Sequence, residues 1–280
     1  FVSQRPSSVV RLVEIAKVQS VESSNRIEGI VTTKARIRSL VADKVMPRNR
    51  DEEEIVGYRD VLNTIHENHE YITLHSNIVL QLHRDLYGYS HKSIGGQYKN
   101  VQNSIIERLA DGSEVERFKP FAPYETPAAI DEICQGVNAV LQDKSVDPLL
   151  VIPVFIHDFL CIHPFNDGNG RMSRLLTTLL LYQNGYMIGK FISLEQKIER
   201  TKDSYYAALA QSGAGWHTGD EDVVPFVKYM LRVILAAYRD FESRIELLTM
   251  SLSAKDRIKI IISATIGKIT KSGILEKQPD

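Results

Sequence analysis

The chain has only two cysteines in 280 residues, Cys134 and Cys161, which fit neither a disulfide framework nor a Cys-x-x-Cys site. Such sparing use suits a reducing compartment, and both are read as buried thiols. No apolar run reaches the ~18 residues of a membrane span, and "FVSQRPSSVV" lacks the charged, apolar and small-residue order of a signal peptide. The expectation is a cytoplasmic protein without a membrane partner. A dominant charge is missing too: 34 basic and 35 acidic side chains leave a formal −1, so no global field argues for nucleic acid, a membrane surface or a strongly acidic partner. Any such partner would need a local patch. There is no internal repeat and no low-complexity segment. What remains is an ordinary globular composition, 43% hydrophobic and 25% charged, long enough for one large domain or two smaller ones. The chain opens on Phe1 rather than methionine and stops at "GILEKQPD", so it is expected to be a trimmed or incompletely ordered version of a longer protein.

Apolar residues recur at three and four rather than at two, which predicts a mostly α-helical fold. In "EEEIVGYRDVLNTIHENH", Ile55, Tyr58, Leu62 and Ile65 form one stripe, with Glu52 to Glu54 where a helix N-terminus favours negative charge. "TPAAIDEICQGVNAVL" is expected to open with Thr126 as N-cap and Pro127 at the first helical position, and to bury Ile130, Ile133, Val137 and Val140. "SLEQ" at 193–196 is a capping-box pattern that predicts one helix running through "SYYAALAQS". "VVPFVKYMLRVILAAYRDFESRIELL" reads as a helix packed on several sides, since Lys228, Arg232 and Arg239 interrupt it. "TTKARIRSL" reads as a short helix capped by Thr32 or Thr33. One stretch departs from the pattern: "NSIIERLADGSEVERF" sets two β-prone runs around Asp111-Gly112, a hairpin turn signal. An isolated hairpin is marginal, so it should lean on the helices or grip something. A boundary near 250 gives two expected units, 1–250 and 251–280.

The chemistry concentrates in "HPFNDGNGRMSR", residues 163–174. "PLLVIPVFIHDFLCIHPF" is an apolar helix that should end near His163-Pro164, because proline disfavours helical geometry in the residue before it. After the loop a helix resumes with Leu175, Leu176, Leu179 and Leu180 inside and Gly185 as its C′ stop. Gly168, Asn169 and Gly170 then present exposed amides at a helix N-terminus, a geometry that attracts phosphate. Arg171 and Arg174, three apart on one face, can both add charge-assisted contacts to a polyphosphate. Asp167 offers a hard oxygen ligand where a phosphate-bound Mg²⁺ would lie. His163, whose ordinary pKa near 6.5 suits proton transfer at neutral pH, is placed to deprotonate an attacking hydroxyl. The composite is a nucleotide-triphosphate site with its own base.

"HPFNDGNGRMSR" resembles the Fic family motif HPFx[D/E]GNGRxxR at every specified position. The resemblance extends over roughly residues 20–245. It implies a Fic-type helical bundle with a small β-hairpin flap, and an AMP transferase that uses ATP and Mg²⁺. In that reading His163 activates a hydroxyl of a protein Ser, Thr or Tyr, Asp167 holds Mg²⁺, and Gly168, Asn169 and Gly170 cradle phosphates. Arg171 and Arg174 neutralise those phosphates, and Phe165 anchors the core. The hairpin at 101–119 resembles the flap that binds a target strand through its backbone. "SYYAAL" resembles the helix lining the adenine pocket, with Tyr205 and Tyr206 as contacts or ordinary core aromatics. "SSNRIEG" at 23–29 supplies Ser24, Glu28 and Gly29, resembling the inhibitory motif [S/T]xxxE[G/N] within an N-terminal segment of about 20–30. There Glu28 would pair with Arg174 and remove a γ-phosphate ligand, or instead orient a water for removing AMP from a modified target. Self-modification and a homodimer follow only from family habit.

Residues 251–280 resemble the opening of a winged-helix unit, which leaves DNA as a further partner. Two rival functions stay open. A phosphotransferase on the same fold is disfavoured by the intact glycine pattern at 168–171, and a nucleotide-sensing, DNA-binding adaptor depends on sequence not visible before Asp280. His157 with Asp158 lacks a second ligand pair and reads as a buried, hydrogen-bonded histidine rather than a metal site. Lys99, Asn103 and Glu107 read as solvated polar residues beside the flap, and Trp216 as a packing residue.

Overall fold

Apolar periodicity of three to four folds as ten α-helices among the described residues, which are 6–90, 93–108 and 114–250 of a computed structural model. In chain order they are α1 (Pro6–Ile27), α2 (Lys34–Val41), α3 (Arg50–Asn68), α4 (Ser76–Leu86), α5 (Thr126–Asp143), α6 (Pro148–Ile162), α7 (Asn169–Gln183), α8 (Leu194–Arg200), α9 (Lys202–Gly213) and α10 (Val224–Met250). Strands β1 (Ile105–Arg108) and β2 (Glu114–Phe118) pair antiparallel between α4 and α5, with a register irregularity between Ile105 and Ile106. The Asp111-Gly112 turn and residues 251–280, with the winged-helix expectation, lie outside the described residues.

α7 is the axis of the molecule. Every residue from Arg171 to Tyr182 is buried, and α6, α3 and α1 all pack against it. A helix buried on all sides needs its polar side chains satisfied within itself or by neighbours. Ser173 donates to the Gly170 carbonyl (2.8 Å), Thr177 to Ser173 (2.8 Å) and Thr178 to Arg174 (3.2 Å), so three hydroxyls return to the helix backbone. The leucines expected inside, 175, 176, 179 and 180, are at most 1% exposed. Gly185, at φ 83°, follows the C-cap Asn184 as expected. α5 and α10 cover α6 from two directions, and α10 also packs on α8 and α9.

The stripe Ile55, Tyr58, Leu62 and Ile65 on α3 is fully buried, and Thr33 caps α2 by accepting from the Arg36 amide. Two boundaries and one burial differ from the sequence reading. α5 begins one residue earlier, with Glu125 at the N-cap and Pro127 in the first turn. Ala122 explains the shift: its carbonyl accepts from the Thr126 hydroxyl (3.0 Å), while its amide donates to the Glu125 carboxylate (2.9 Å). Val140 is 36% exposed, because the face of α5 that packs on the core passes through Val137 and Leu141 and leaves Val140 beside it. The single helix expected from Ser193 is two: Ser193 caps α8 as predicted, but Thr201 leaves helical geometry at φ −122°, ψ 32° and its hydroxyl turns back to the Lys197 carbonyl.

The hairpin leans on the helical body. Phe118 packs 5.3 Å from the His217 ring and 5.9 Å from Trp216, while Trp216 donates to Asp158 (3.1 Å). Cys134 and Cys161 are buried free thiols, and His157 is fully buried with Cys161 Sγ 3.6 Å from its Nε2. Among the described residues no helix is long and apolar enough to cross a membrane.

The acidic run opening α3 does more than face the helix dipole. Glu52 is buried and accepts from the Arg36 guanidinium, the Thr32 hydroxyl (3.1 Å) and the Arg48 amide (3.0 Å). The Arg36 hydrogen bonds hold this carboxyl down to about 2. A group whose folded pKa is depressed adds stability that is complete above its ordinary value of 4.5 and is lost as pH falls towards 2. Glu52→Gln is therefore expected to be less stable than the parent at neutral pH and to lose less between those two values. Urea midpoints across the window test it; parallel curves for the two proteins would contradict it.

Candidate active site

The site is built on the turn between α6 and α7. His163 ends α6 in the left-handed region (φ 51°, ψ 63°), its amide still bonded to the Phe159 carbonyl at 3.0 Å. A non-glycine residue held at positive φ is uncommon and needs surrounding structure to keep it there. Asn169 supplies part of that structure. Its carboxamide accepts from the Phe165 amide (2.9 Å) and donates to the Phe165 carbonyl (2.7 Å), closing the turn on itself. Phe165 is fully buried, as expected of an anchor, and stacks on His83 with ring centres 3.6 Å apart. The His83 tautomer follows from its partners: the Gly96 amide donates to Nδ1 (3.1 Å), so Nε2 carries the proton and donates to the Asp167 carbonyl (3.0 Å). Burial pushes this histidine down to about 4, which keeps it neutral.

Gly168 is the N-cap of α7 at φ 87°, and a Cβ there would press on the Tyr87 hydroxyl at 3.0 Å. Only glycine meets both demands. The amides of 168–170 thus start a fifteen-residue helix at the mouth of the turn, as the sequence predicts. The Asn169 side chain, by contrast, is committed to bracing the turn.

His163 is the histidine of the turn. Its Nδ1 is buried without a well-formed hydrogen bond. Burial lowers it to about 4, with the nearby Lys99 ammonium acting in the same direction; the Leu160 carbonyl and Glu28 oppose. At neutral pH the ring is an unprotonated base.

The two arginines part company. Arg174 points to the end of α1: Nε donates to the Ser24 hydroxyl (2.8 Å), and Nη2 to the Ser24 carbonyl (2.9 Å) and Glu28 Oε1 (2.7 Å). Glu28 lies just past Ile27, before Gly29 turns the chain at φ 78°. Its Oε1 lies so near Gly170 that a Cβ there would collide with it. A carboxylate therefore sits against the N-terminus of α7, where a helix favours anions. Arg171 is instead fully buried, with Nη2 on the Tyr87 hydroxyl (2.6 Å) and 2.8 Å from Glu54 Oε2. Both are expected to face a polyphosphate; here the end of α1 takes Arg174, through the Glu28 pairing that the inhibitory motif implies, and α3 takes Arg171. Tyr205 is buried and Tyr206 is 43% exposed, their rings 5.2 Å apart. Lys202 Nζ lies 5.7 Å over Tyr206 and donates to the Ile27 carbonyl (2.8 Å).

Asp167 lies near two guanidinium groups, Arg50 and Arg171, each 3.7 Å away. Among the described residues no group of three or more His, Cys, Asp and Glu gathers for a metal. One partly exposed carboxylate suits Mg²⁺, which is held by one or two carboxylates together with substrate phosphates and water.

Sequence reasoning missed three residues. Glu54, at helical spacing from Tyr58 and Val61, lies on the buried face and is only 1% exposed, a signal that was available. His83 shares the face of Val79 and Leu86 and was equally accessible to a periodicity argument. Lys99 was read as solvated and is 3% exposed. Its Nζ donates to the Ile162 carbonyl (2.9 Å), and no periodic pattern marks it.

Residues 71–181 match the Fic/DOC family. It is 25% identical over 236 residues to protein adenylyltransferase Fic of Nematostella vectensis, covering 79% of this chain and 48% of that protein. It is also 25% identical over 217 residues to protein adenylyltransferase fic-1 of Caenorhabditis elegans, covering 74% of this chain and 37% of that one. The chain spans less than half the length of these curated relatives. Among solved structures, a Fic domain containing signaling protein from Bacteroides thetaiotaomicron superposes with a TM-score of 0.68 at 24% identity, covering 83% of this chain and 89% of that one. That likeness concerns the fold. His163 to Arg174 fall inside the matched domain; Ser24, Glu28 and Glu54 precede it.

Glu54 accepts from Arg50 Nε (2.7 Å) as well as pairing with Arg171. Removing one partner of a buried pair strands the other charge, at about 3–5 kcal/mol. Glu54→Ala is expected to destabilise on that scale. Arg50→Ala, whose side chain is 60% exposed, leaves Glu54 paired with Arg171 and is expected to cost no more than about 1 kcal/mol. Denaturation midpoints of the two variants test the contrast, and equal losses would contradict it.

Proposed function

We propose that the chain transfers AMP from ATP to a hydroxyl of a protein and that Glu28 restrains it. The observation that carries this reading is the neutral His163 at the turn leading directly into the α7 N-terminus, with the Arg174 guanidinium one helical turn further on. In the proposed step, His163 takes the proton of the attacking hydroxyl as its oxygen bonds to the α-phosphorus. The bond from that phosphorus to the bridging oxygen breaks, and pyrophosphate departs with the electron pair. The 168–170 amides favour the phosphates through aligned dipoles. Asp167 would hold Mg²⁺, whose charge would offset that of the leaving pyrophosphate. The exposed Tyr206 face offers a surface for the adenine, and the hairpin an edge for a target strand. The relatives' name, protein adenylyltransferase, supports the same reaction.

Restraint follows from the Glu28 contact. Its carboxylate takes the Arg174 hydrogen bond at 2.7 Å and places negative charge where a phosphate would approach. A charge-assisted hydrogen bond is worth about 1.5–3 kcal/mol, which corresponds to about 10- to 100-fold in rate. Glu28→Gly is expected to raise transfer by that factor, and adding His163→Ala to abolish it. The test gives wild type and both variants Mg²⁺ and ATP labelled at the α- or the γ-phosphate, with cell extract as target source. Label entering protein from the α position alone, released by Glu28→Gly, is the expected result. Label from γ would replace the reading with phosphoryl transfer, and equal activity of wild type and Glu28→Gly would remove the inhibitory role. Loss of label from pre-modified protein, dependent on Glu28, would reverse the direction.

A further inference from the structure

One segment ahead of β1 grips the His163 turn from outside. The Lys99 amide donates to the Pro164 carbonyl (2.8 Å), and Lys99 Nζ donates to the Ile162 carbonyl (2.9 Å) and to Asn103 Oδ1 (3.1 Å). Asn103 Nδ2 in turn donates to the Phe165 carbonyl (3.2 Å). Carbonyls on both sides of His163 are thereby held by two residues four apart, and Asn103 is two residues from the first residue of β1. The ammonium is buried, and its hydrogen-bond acceptors are a carbonyl and a carboxamide, with the Glu125 carboxylate acting on it only through space. Burying a cation without a hydrogen-bonded carboxylate is costly, and a neutral side chain of similar shape would avoid that cost.

Resting on the proposed AMP transfer through His163, we propose that Lys99 is the positioning residue of that reaction: it fixes the left-handed turn that aims the imidazole and, through Asn103, ties that turn to the base of the hairpin. The ammonium also adds a positive charge beside the ring. The groups that act on the His163 titration are Lys99, which disfavours the protonated ring, and Glu28 and the Leu160 carbonyl, which favour it. Burial pushes Lys99 itself down to about 8, so it remains mostly protonated at neutral pH. Removing its charge relieves a like-charge penalty on the imidazolium. The His163 pKa then rises, and the acid limb of any reaction that needs the unprotonated ring moves to higher pH.

The test uses the whole chain. In the Glu28→Gly background, Lys99→Met, Lys99→Arg and Asn103→Ala are compared for α-label transfer against ATP concentration and pH. Misaiming a base can cost up to about 100-fold. Lys99→Met is expected to lower kcat at least tenfold with KM for ATP within about twofold, and to move the acid limb upward. Lys99→Arg, which keeps the charge and the donors, is expected to restore most of kcat and the original limb. Asn103→Ala is expected to lower kcat without moving the limb, and it gives a reading even if Lys99→Met does not fold. Unchanged kcat in Asn103→Ala, or an unmoved limb in a folded Lys99→Met, would overturn the proposal. A parallel NMR titration of His163 in Lys99→Met and its parent separates the two readings. A raised midpoint without any transfer would discard the AMP reaction and keep Lys99 as the cation set against the His163 ring, and identical midpoints would discard the Lys99 proposal.

Discussion

A short turn between two buried helices must satisfy its own backbone with little help from water, and the rest of the site depends on how this one does so. Asn169 closes it from within, His83 binds the Asp167 carbonyl from α4, and Lys99 with Asn103 takes the carbonyls around His163. Each partner comes from a different part of the chain. An unmade hydrogen bond at a buried carbonyl costs more than a made one contributes, so each brace constrains the turn more strongly than its net contribution to folding suggests. The strained backbone at His163 persists because these braces surround it.

The same economy governs charge. Arg171, Arg174, Glu54, Glu52 and Lys99 are all buried, and each has a specific partner set. The ion pairs among them add little to stability compared with apolar packing, but they fix direction, because a guanidinium fork donates along only certain lines. α7 carries its two arginines towards α3 and α1, so one helix orients the parts that precede it in sequence. The glycine at 170 belongs to the same arrangement, since the absence of a side chain there is what admits the Glu28 carboxylate.

Much of this was legible in the sequence. Periodicity located the buried stripe of α3 and the leucines of α7, and the end of α6 at His163 followed from Pro164. The Glu28–Arg174 contact was expected from two motifs 150 residues apart at their serine and arginine. What escaped has a common cause. Local rules place a residue on a face but do not say what lies opposite: the partners of Arg171, Glu54 and the Tyr87 hydroxyl, come from distant parts of the chain that its own helix does not announce. Lys99 lies in a loop, where no period distinguishes a buried cation from a solvated one. The break at Thr201 has no mark in the local pattern, and the threonine hydroxyl lies 2.8 Å from that of Tyr229 on α10, a neighbour that only the tertiary structure brings.

The burial of α1 bears on speed. Ala16, Ser20, Val21, Ser23, Ser24, Asn25 and Ile27 are all within 3% of complete burial, so the helix that presents Glu28 is a structural member of the core and not a detachable arm. Glu28 itself stands past the helix end with 31% of its side chain exposed. Under the proposed restraint, displacing α1 would open the core, whereas swinging one carboxylate aside needs only torsional rotation. Rotamer changes in solvent-accessible side chains take picoseconds to nanoseconds, while large collective rearrangements take microseconds or longer. Such a restraint equilibrates far faster than any chemical turnover, so it would set what fraction of molecules is competent at each instant without adding a slow step of its own.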